Sequence, residues 1–354
     1  MATYYIGADL HCNNTELAIE SRGKVVRRYS VPTTIRAIGE VLDSLSGKKH
    51  MVFEEGPMAG WLYRNLVHKV EQITVCDPRR NKLIASDGDK DDKIDAAKLA
   101  ALLRGGYLRA VYHSLDEGRV AFKSWVGLYD GRVKDATRNI NKVRACCRMC
   151  GIKVPRAALR DVGFRQKWLC TLKDKSVAEQ LRILWIGYDA TATQSRLAKK
   201  QVSRLAKQYK IIGYWSELPG VGLIRAATIF AYLDTPRRFR KKNSLWKYCG
   251  VGLQRQASGT DRQGRVRPAR LKMAWAVNKR LKNAVMGAAT SAIRCRDNVF
   301  RRDYERMIRD GMRASNARHA VARKMVTVMW GMWKHNCRFD ERFLLKETCS
   351  LCNE

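Results

Sequence analysis

The stretch YYIGADL, residues 4–10, decides the fold, because it has the composition of a buried β-strand and carries an acid, Asp9, near its end. Two more β-type runs follow it, Glu16–Ser21 and Val25–Val31, and polar or glycine-containing turns separate all three. The sequence therefore predicts three consecutive short strands, with a carboxylate at the carboxyl end of the first.

Helices and strands alternate in the residues that follow these strands. The predicted order is three strands followed by helix, strand, helix, strand and helix. This is the order of a ribonuclease-H-like (RuvC-like) α/β domain with a mixed sheet. The predicted elements are a helix around Ile35–Leu45, a strand Met51–Glu54, a helix Leu62–Val70, a strand Ile73–Cys76 and a helix Asp92–Leu103.

The middle of the chain, residues 116–212, has almost no strand signal. Apolar residues recur there at three- and four-residue spacing, and Pro155 and the charged stretch Lys173–Lys175 interrupt the pattern. This spacing predicts a helical or coiled-coil arm. The arm could pair with a second copy of itself or form a bundle within one protomer.

A third region begins at Leu218, where a Pro-Gly-Val-Gly turn precedes an apolar helix, Ile224–Leu233. This turn resembles a helix-hairpin-helix module, in which Gly220 and Gly222 would let backbone amides approach a phosphate. Residues 290–336 are predicted to be helical, which makes the C-terminal domain mostly α-helical. We predict the boundaries 1–115, 116–212 and 213–340, followed by a tail, 341–354.

The charge of the chain is large and unevenly distributed. Its 69 Lys and Arg against 33 Asp and Glu give a formal net charge of +36, of which residues 1–115 contribute +3 and residues 116–354 contribute +33. Lys and Arg displace the counterions that condense on phosphate backbones, so this excess favours a nucleic-acid partner. We expect catalysis in the first domain and nucleic-acid binding in the rest.

The sequence has no signal for a membrane or an oxidising compartment. It has no apolar run long enough to cross a bilayer and no signal peptide, so we expect no membrane partner. Its 11 cysteines lack the spacing of a disulfide framework. The terminal pair Cys349 and Cys352 has no second pair of comparable spacing, which favours free thiols over structural zinc. A cytoplasmic protein of a bacterium, acting at the nucleoid, is expected.

Four acids are candidates for a metal site. Asp9 and Glu54 each end an apolar β-run, whereas Glu55 points to the opposite face of its strand. Asp92 and Asp95 are three residues apart on a predicted helix and share a face. Phosphodiester cleavage by two metal ions needs converging carboxylates, which suit Mg²⁺, with Mn²⁺ as the alternative ion. The competing interpretation is four unrelated surface acids.

Two other residue types are interpreted more simply. His11 lies close to Asp9, but a structural or solvent-exposed role is favoured for it. Nine tryptophans in a basic chain could stack on bases. Trp330 and Trp333 share a helical face, however, which favours packing in a core for this pair.

Several ordered motifs resemble those of the DEDD transposases of the insertion sequence 110 family, which are bridge-RNA-guided recombinases. The resemblance spans roughly residues 4–340. It is carried by YIGAD (5–9), FEEGP (53–57), KDDKIDAAKLA (90–100), LPGVG (218–222), the segment GVGL (250–253) before Ala257-Ser258-Gly259, and a closing helix from Gly311 to Trp333.

The resemblance implies that Asp9, Glu54, Asp92 and Asp95 hold the metal and that Ser258 is a nucleophile. Ser258 would attack a DNA phosphate and form a transient phosphoserine link. Donor DNA, target DNA and a structured bridge RNA are the implied partners. Active sites shared between protomers are also implied, in a homo-oligomer that we expect to be a dimer or a tetramer.

The segment after the serine departs from the family pattern, because its Lys-x-Gly-Asn part is missing. Leu281-Lys282 could replace the Leu-Arg pair found in relatives. Four arginines of this region are candidate phosphate ligands. They are Arg262, Arg265, Arg267 and Arg270.

Three other functions stay open at this level. A junction-resolving nuclease or a DNA invertase would use the same acids without Ser258 and without a guide RNA. A sugar kinase or actin-like ATPase also opens with a strand bearing Gly-x-Asp, but the Gly-rich phosphate loops it needs are not evident. A non-catalytic RNA-binding protein would leave the ordered acids unexplained.

Overall fold

A five-stranded mixed sheet forms the centre of the N-terminal part of the chain. The chain divides into two units, Met1–Glu117 and Gly118–Glu354, and this sheet belongs to the first. The computed structural model describes residues 2–80, 92–256, 270–273 and 277–341. The strand order is β3-β2-β1-β4-β5. Strands β1, β2 and β3 pair antiparallel, whereas β1–β4 and β4–β5 pair parallel. The strands are β1 Thr3–Leu10, β2 Asn14–Ser21, β3 Lys24–Pro32, β4 Lys48–Glu54 and β5 Gln72–Cys76.

A two-residue turn sets the register of β2 and β3. Arg22 and Gly23 both have positive φ, 51° and 82°, as a type I′ hairpin turn requires. After β3, Thr34 caps α1 (Ile35–Asp43) by accepting a hydrogen bond from the N–H of Ala37 at 3.2 Å. The chain thus passes from the three antiparallel strands into the first helix at Thr34, whose side chain caps that helix.

One face of the sheet carries the main core of the first unit. Helices α1 and α2 (Ala59–Leu66) place apolar side chains against those of β1, β2 and β4. Burial of such side chains is the main favourable contribution to folding. The fully buried members include Ile6, Leu17, Ile38, Leu42, Phe53 and Leu62.

The other face is covered by α3 (Asp92–Arg104), which lies against β1, β2 and β4. Gly7 makes this contact so close that a Cβ built on it would lie 1.9 Å from the Ala96 carbonyl oxygen. Arg28 on β3 donates to the carbonyl of Lys93 at 2.7 Å, and Arg104 pairs with the buried carboxylate of Glu20. The helix is therefore fixed at its first turn, at its middle and at its last turn.

The second unit is helical apart from one short hairpin in the part that the structure describes. Strands β6 (Leu253–Gln256) and β7 (Arg270–Met273) pair antiparallel. The helices are α4 Glu117–Met149, α5 Val162–Cys170, α6 Lys175–Ala206, α7 Lys210–Ser216, α8 Leu223–Leu233, α9 Lys242–Tyr248, α10 Lys279–Arg294, α11 Val299–Arg309 and α12 Ala314–His335.

Two separate apolar cores lie on the long helices α4 and α6. Val143 of α4 and Leu181 and Trp185 of α6 belong to a small core at one end. Phe122 of α4 and Val202 of α6 belong to the large C-terminal core at the other end. Each long helix therefore begins in one core and ends in the other, and the segment between them forms the arm.

The large core is organised around Trp215, which is fully buried and donates its Nε1–H to the Met329 carbonyl at 2.9 Å. Trp333 packs edge-on against Trp215, with ring centroids 5.2 Å apart. Trp330 is also buried and donates to the Pro236 carbonyl. The preference for core packing over base stacking for Trp330 and Trp333 is confirmed.

The observed order agrees with the predicted α/β domain followed by a mostly helical remainder. All five strands of the first unit were predicted. The helix predicted at Leu62–Val70 begins earlier, at Ala59, and its last turn is a 3-10 helix, Val67–Lys69. Pro155 and Lys173 lie between helices, as the interrupted pattern indicates. Among the described residues, no helix combines the length and the apolar character needed to cross a membrane.

We expect Gly7→Ala to lower the free energy of unfolding by about 1–3 kcal/mol or more, because the added methyl group overlaps the backbone of α3. Thermal and urea unfolding followed by circular dichroism would measure the change. Gly131→Ala is the matched control, since Gly131 lies in α4 with open space around its Cβ position. That variant should be neutral or stabilising by up to about 1 kcal/mol. Equal effects at the two positions would contradict the close contact.

Candidate metal centre

Asp9 and Glu54 lie at the same edge of the sheet. The parallel register of β1 and β4 pairs Ala8 with Phe53, so Asp9 and Glu54 are the next residues of two neighbouring strands. Carboxyl ends of parallel strands meet at one sheet edge, which is where ligand sites form in α/β domains. Glu54 is half-buried at this edge. The sequence prediction placed both acids at strand ends, and both lie there.

The first turn of α3 brings two more acids to the chain segment around Asp9. Asp92 and Asp95 are the acidic residues of that turn. Because Ala96 is held against Gly7, the residues one turn earlier lie toward the carboxyl end of β1. The carboxylates of Asp9 and Asp92 have oxygens within 4.8 Å of each other. The charges of Asp92 and Asp95 both raise the pKa of Asp9.

His11 completes this cluster from the loop after β1. Its Nε2 lies 3.2 Å from Oδ2 of Asp9 and 3.3 Å from Oδ2 of Asp92. Ligand atoms of Asp9, His11 and Asp92 all lie within 4.8 Å of one another. Sequence reasoning favoured a structural or solvent-exposed role for His11, although its position two residues after Asp9 was the available signal.

Asp9 and His11 influence each other's protonation in this cluster. Burial raises the pKa of Asp9 above that of an ordinary aspartate; His11 lowers it, and the charges of Asp92 and Asp95 raise it again. In turn, the charge of Asp9 raises the pKa of His11. The two side chains are thus electrostatically coupled.

The donor set fits a divalent cation. Carboxylate oxygens are the preferred ligands of Mg²⁺ and Mn²⁺, and an imidazole nitrogen is a further ligand for a transition metal. Three donor atoms within 4.8 Å of one another can reach one ion, and Asp92 keeps an exposed carboxylate for it. Asp9, Asp92 and His11 could hold an ion directly, and Asp95 and Glu54 lie on the elements beside it.

Glu55 has a different partner from the cluster. Its backbone N–H donates to the Cys76 carbonyl at 2.8 Å, and its Oε2 lies 2.6 Å from Nε2 of His113. The chain returns along β5 before His113, because the N–H of Val111 donates to the Val75 carbonyl at 2.6 Å. This contact gives Glu55 a structural role and agrees with the choice of Glu54 for the site.

Of the C-terminal candidates between residues 256 and 270, the structure describes Arg270 alone. Gln256 pairs with Arg270 at the end of that hairpin, and Arg270 is the first residue of β7. The remaining candidates of this segment, Ser258, Arg262, Arg265 and Arg267, fall outside the described residues.

The two glycines of the Pro-Gly-Val-Gly turn have different surroundings. Gly220 has φ +77°, and a Cβ on it would lie 2.3 Å from the backbone nitrogen of Ala292 in α10. Its small size is therefore required for packing of the turn against α10. Gly222 is exposed at the N-cap of α8, with no heavy atom of the described structure within 4 Å of its Cβ position. Gly222 is the position with room for a phosphate.

Two family models match the chain. One, for DEDD transposases of the IS110 group and described as Transposase, matches residues 6–150. The other, described as Transposase IS116/IS110/IS902 family, matches residues 214–305. The first range contains all four acids, and the second contains Ser258 and the turn with Gly220 and Gly222. A search of curated proteins found no match.

We expect Asp9→Asn and Asp92→Asn each to weaken Mn²⁺ binding by at least about tenfold, since even outer-shell partners of metal ligands contribute that much. Isothermal titration calorimetry of the purified chain with MnCl₂ would measure the affinity. Asp310→Asn is the control, because Asp310 is exposed at the end of α11. If both cluster variants bound Mn²⁺ like the wild type, the site would not be a metal centre.

We expect Asp9→Asn to raise the thermal unfolding midpoint of the metal-free chain at neutral pH. A raised pKa means that folding favours the protonated acid and that this advantage is lost as the pH rises through the pKa. A neutral amide removes that penalty. Differential scanning calorimetry in chelator would measure the midpoint, and added Mn²⁺ should stabilise the wild type but not the variant. A lower midpoint for the variant would show that Asp9 stabilises the metal-free fold.

Proposed function

We propose that this chain, which belongs to the IS110 family of DEDD transposases, cuts and rejoins DNA strands with a serine nucleophile under the guidance of a structured RNA. Transposase and recombinase activity follows from the family. The nucleophile, the guide RNA and the identity of the metal are the parts that we propose beyond it.

The observation that carries the proposal is the convergence of Asp9, His11 and Asp92 at the carboxyl edge of the sheet. The order and directions of the five strands support a ribonuclease-H-like domain of the RuvC type. We propose that Asp9, Glu54, Asp92 and Asp95 hold Mg²⁺ or Mn²⁺. Such an ion, when bound, would stabilise the negative charge that develops on a phosphate under attack.

Ser258 would perform the covalent step. Its Oγ forms a bond to a DNA phosphorus and gives up its proton, while the bond from phosphorus to the leaving sugar oxygen breaks and that oxygen takes a proton. A sugar hydroxyl of another strand then attacks the phosphoserine and releases the serine hydroxyl. The two transesterifications conserve the number of phosphodiester bonds, so rejoining needs no added energy source.

The remaining proposals concern partners. Residues 116–354 carry +33 of the net charge, which supports binding of donor DNA, target DNA and a structured guide RNA. We propose Gly220, Gly222, Arg262, Arg265, Arg267 and Arg270 as nucleic-acid contacts, with Gly222 the glycine that has open space. We further propose three functional regions, 1–115, 116–212 and 213–340, in a dimer or tetramer that acts at the bacterial nucleoid in the cytoplasm.

The second candidate is a junction-resolving nuclease or DNA invertase that needs no guide RNA. The acid cluster of the first unit favours it, because converging carboxylates with metal ions can direct hydrolysis without a protein nucleophile. The two functions differ in their dependence on Ser258, and that difference can be measured.

We expect Asp92→Asn, Asp95→Asn and Ser258→Ala each to abolish recombination while leaving DNA and RNA binding largely intact, because none of these changes removes a basic contact. Recombination between donor and target plasmids in a bacterial host, with binding measured by gel shift, would test this. Ser195→Ala on the arm is the control, since its hydroxyl donates to the Ala192 carbonyl of its own helix.

Three outcomes would decide against parts of the proposal. Strand cutting that survives Ser258→Ala but is lost in Asp9→Ala would favour the nuclease. Recombination in vitro that survives digestion of copurifying RNA would exclude a requirement for a guide RNA. Loss of binding as large as the loss of activity in Asp92→Asn would contradict its role as a metal ligand.

A further inference from the structure

We propose that Lys247, Lys282 and Arg323 together bind one nucleic-acid backbone phosphate at the turn Gly250–Gly252, which begins the β6–β7 hairpin. We name these three side chains the basic cradle. The proposal rests on the proposed function, because it assumes a nucleic-acid partner, and it adds a phosphate site outside the segment 257–269.

The turn itself is rigid and tightly enclosed. Gly250 has φ +73°, and a Cβ on it would lie 3.1 Å from Cδ of Lys282. A Cβ on Gly252 would lie 2.6 Å from the backbone nitrogen of Lys247 and 2.9 Å from its Cγ. The N–H groups of Val251 and Gly252 both donate to the Trp246 carbonyl, at 3.0 and 2.8 Å. The two lysine stems therefore lie directly against a fixed turn.

Arg323 reaches the same turn from α12. Its guanidinium donates to the Val251 carbonyl at 3.2 Å and lies over the ring of Trp246, 6.0 Å from its centroid. Trp246 is fixed in turn, because its Nε1–H donates to Oγ1 of Thr327 at 2.8 Å. A guanidinium has five N–H donors, and Val251 is its one hydrogen-bond acceptor among the described residues. Donors thus remain for an anion.

The charge of the cradle is not balanced within the described part of the protein. None of its three members forms a salt bridge there, whereas the neighbouring Lys324 pairs with Asp303 and Arg280 pairs with Asp130. Burial alone lowers the pKa of Arg323 from that of a free guanidinium. A half-buried cation without a carboxylate partner gains more from an external anion than an exposed one does.

The cradle lies at the start of β6, which extends from the turn to Gln256 over about 13 Å. None of its members belongs to the proposed catalytic residues, so we expect its effect to be on nucleic-acid binding and not on the chemical step.

The test is the salt dependence of binding to a short fluorescein-labelled DNA duplex, measured by anisotropy between about 50 and 200 mM NaCl. For one shared phosphate, the triple variant Arg323→Gln/Lys247→Gln/Lys282→Gln should reduce the slope of log K against log salt by about 0.9, and Arg323→Gln alone should reduce it by no more than that. Arg323→Lys should retain most of the slope.

Lys324→Gln is the matched control, because it is next to Arg323 on α12 but already paired with Asp303, so its slope should equal that of the wild type. If Arg323→Gln unfolds, the double variant Lys247→Gln/Lys282→Gln on partly exposed lysines gives the same readout. If the slope of that variant equals a steep wild-type slope, the basic cradle does not bind a phosphate, whereas nucleic-acid binding by the chain is unaffected. A flat wild-type slope would overturn nucleic-acid binding and with it the proposed function. A reduction of the slope by about 2.7 in the triple variant would indicate that the three side chains bind three separate phosphates, which contradicts one shared phosphate.

Discussion

The backbone of α3 lies against the backbone of β1 at Gly7, and the arrangement of the acidic site depends on that contact. The helix must pass so close to the strand that no side chain fits between them. Arg28 and Arg104 then prevent the helix from sliding or turning. As a result, acids that are more than eighty residues apart in sequence, Asp9 and Asp92, both contact Nε2 of His11. The geometry of the site is thus fixed by a close backbone contact at Gly7 and by two arginines that hold the ends of the helix.

The same arrangement concentrates negative charge in a protein that is otherwise strongly basic. With a formal net charge of +36, long-range forces attract nucleic acid to the whole surface. A local patch of acids repels phosphates unless a cation lies between them. Under the proposed function, the basic helical unit would bind the nucleic acid, and the acidic edge would accept a phosphate only together with a metal ion. Partial burial of Asp9 makes this dependence stronger, since charge is less screened there.

Much of this fold could be predicted from the sequence, because its strands are short, apolar and separated by clear turns. Periodicity also located α3 and hence the shared face of Asp92 and Asp95. The role of Gly7 could not be predicted, because a glycine in a strand does not reveal which helix will cover it. His11 was undervalued for a similar reason: a lone histidine after a strand gains significance only when Asp92 arrives from another element. The close packing of Gly220 against the backbone of α10 could not be predicted either, because the partner helix lies about seventy residues later in the sequence. The members of the basic cradle lie on three helices, and only tertiary structure places them around one turn.

The two long helices have a mechanical consequence. Helix α6 extends for 32 residues, and an α-helix rises about 1.5 Å per residue, so its ends are about 48 Å apart. Each end of α6 packs in one of the two apolar cores, and α4 extends between the same two cores. The length of the helix pair therefore sets the distance between the two cores. That length matches the rise of about fourteen base pairs of duplex. A nucleic acid that contacts both cores would do so at two sites separated by this length. Insertion or deletion of whole helical turns in the arm would change the distance between those sites without altering the catalytic residues.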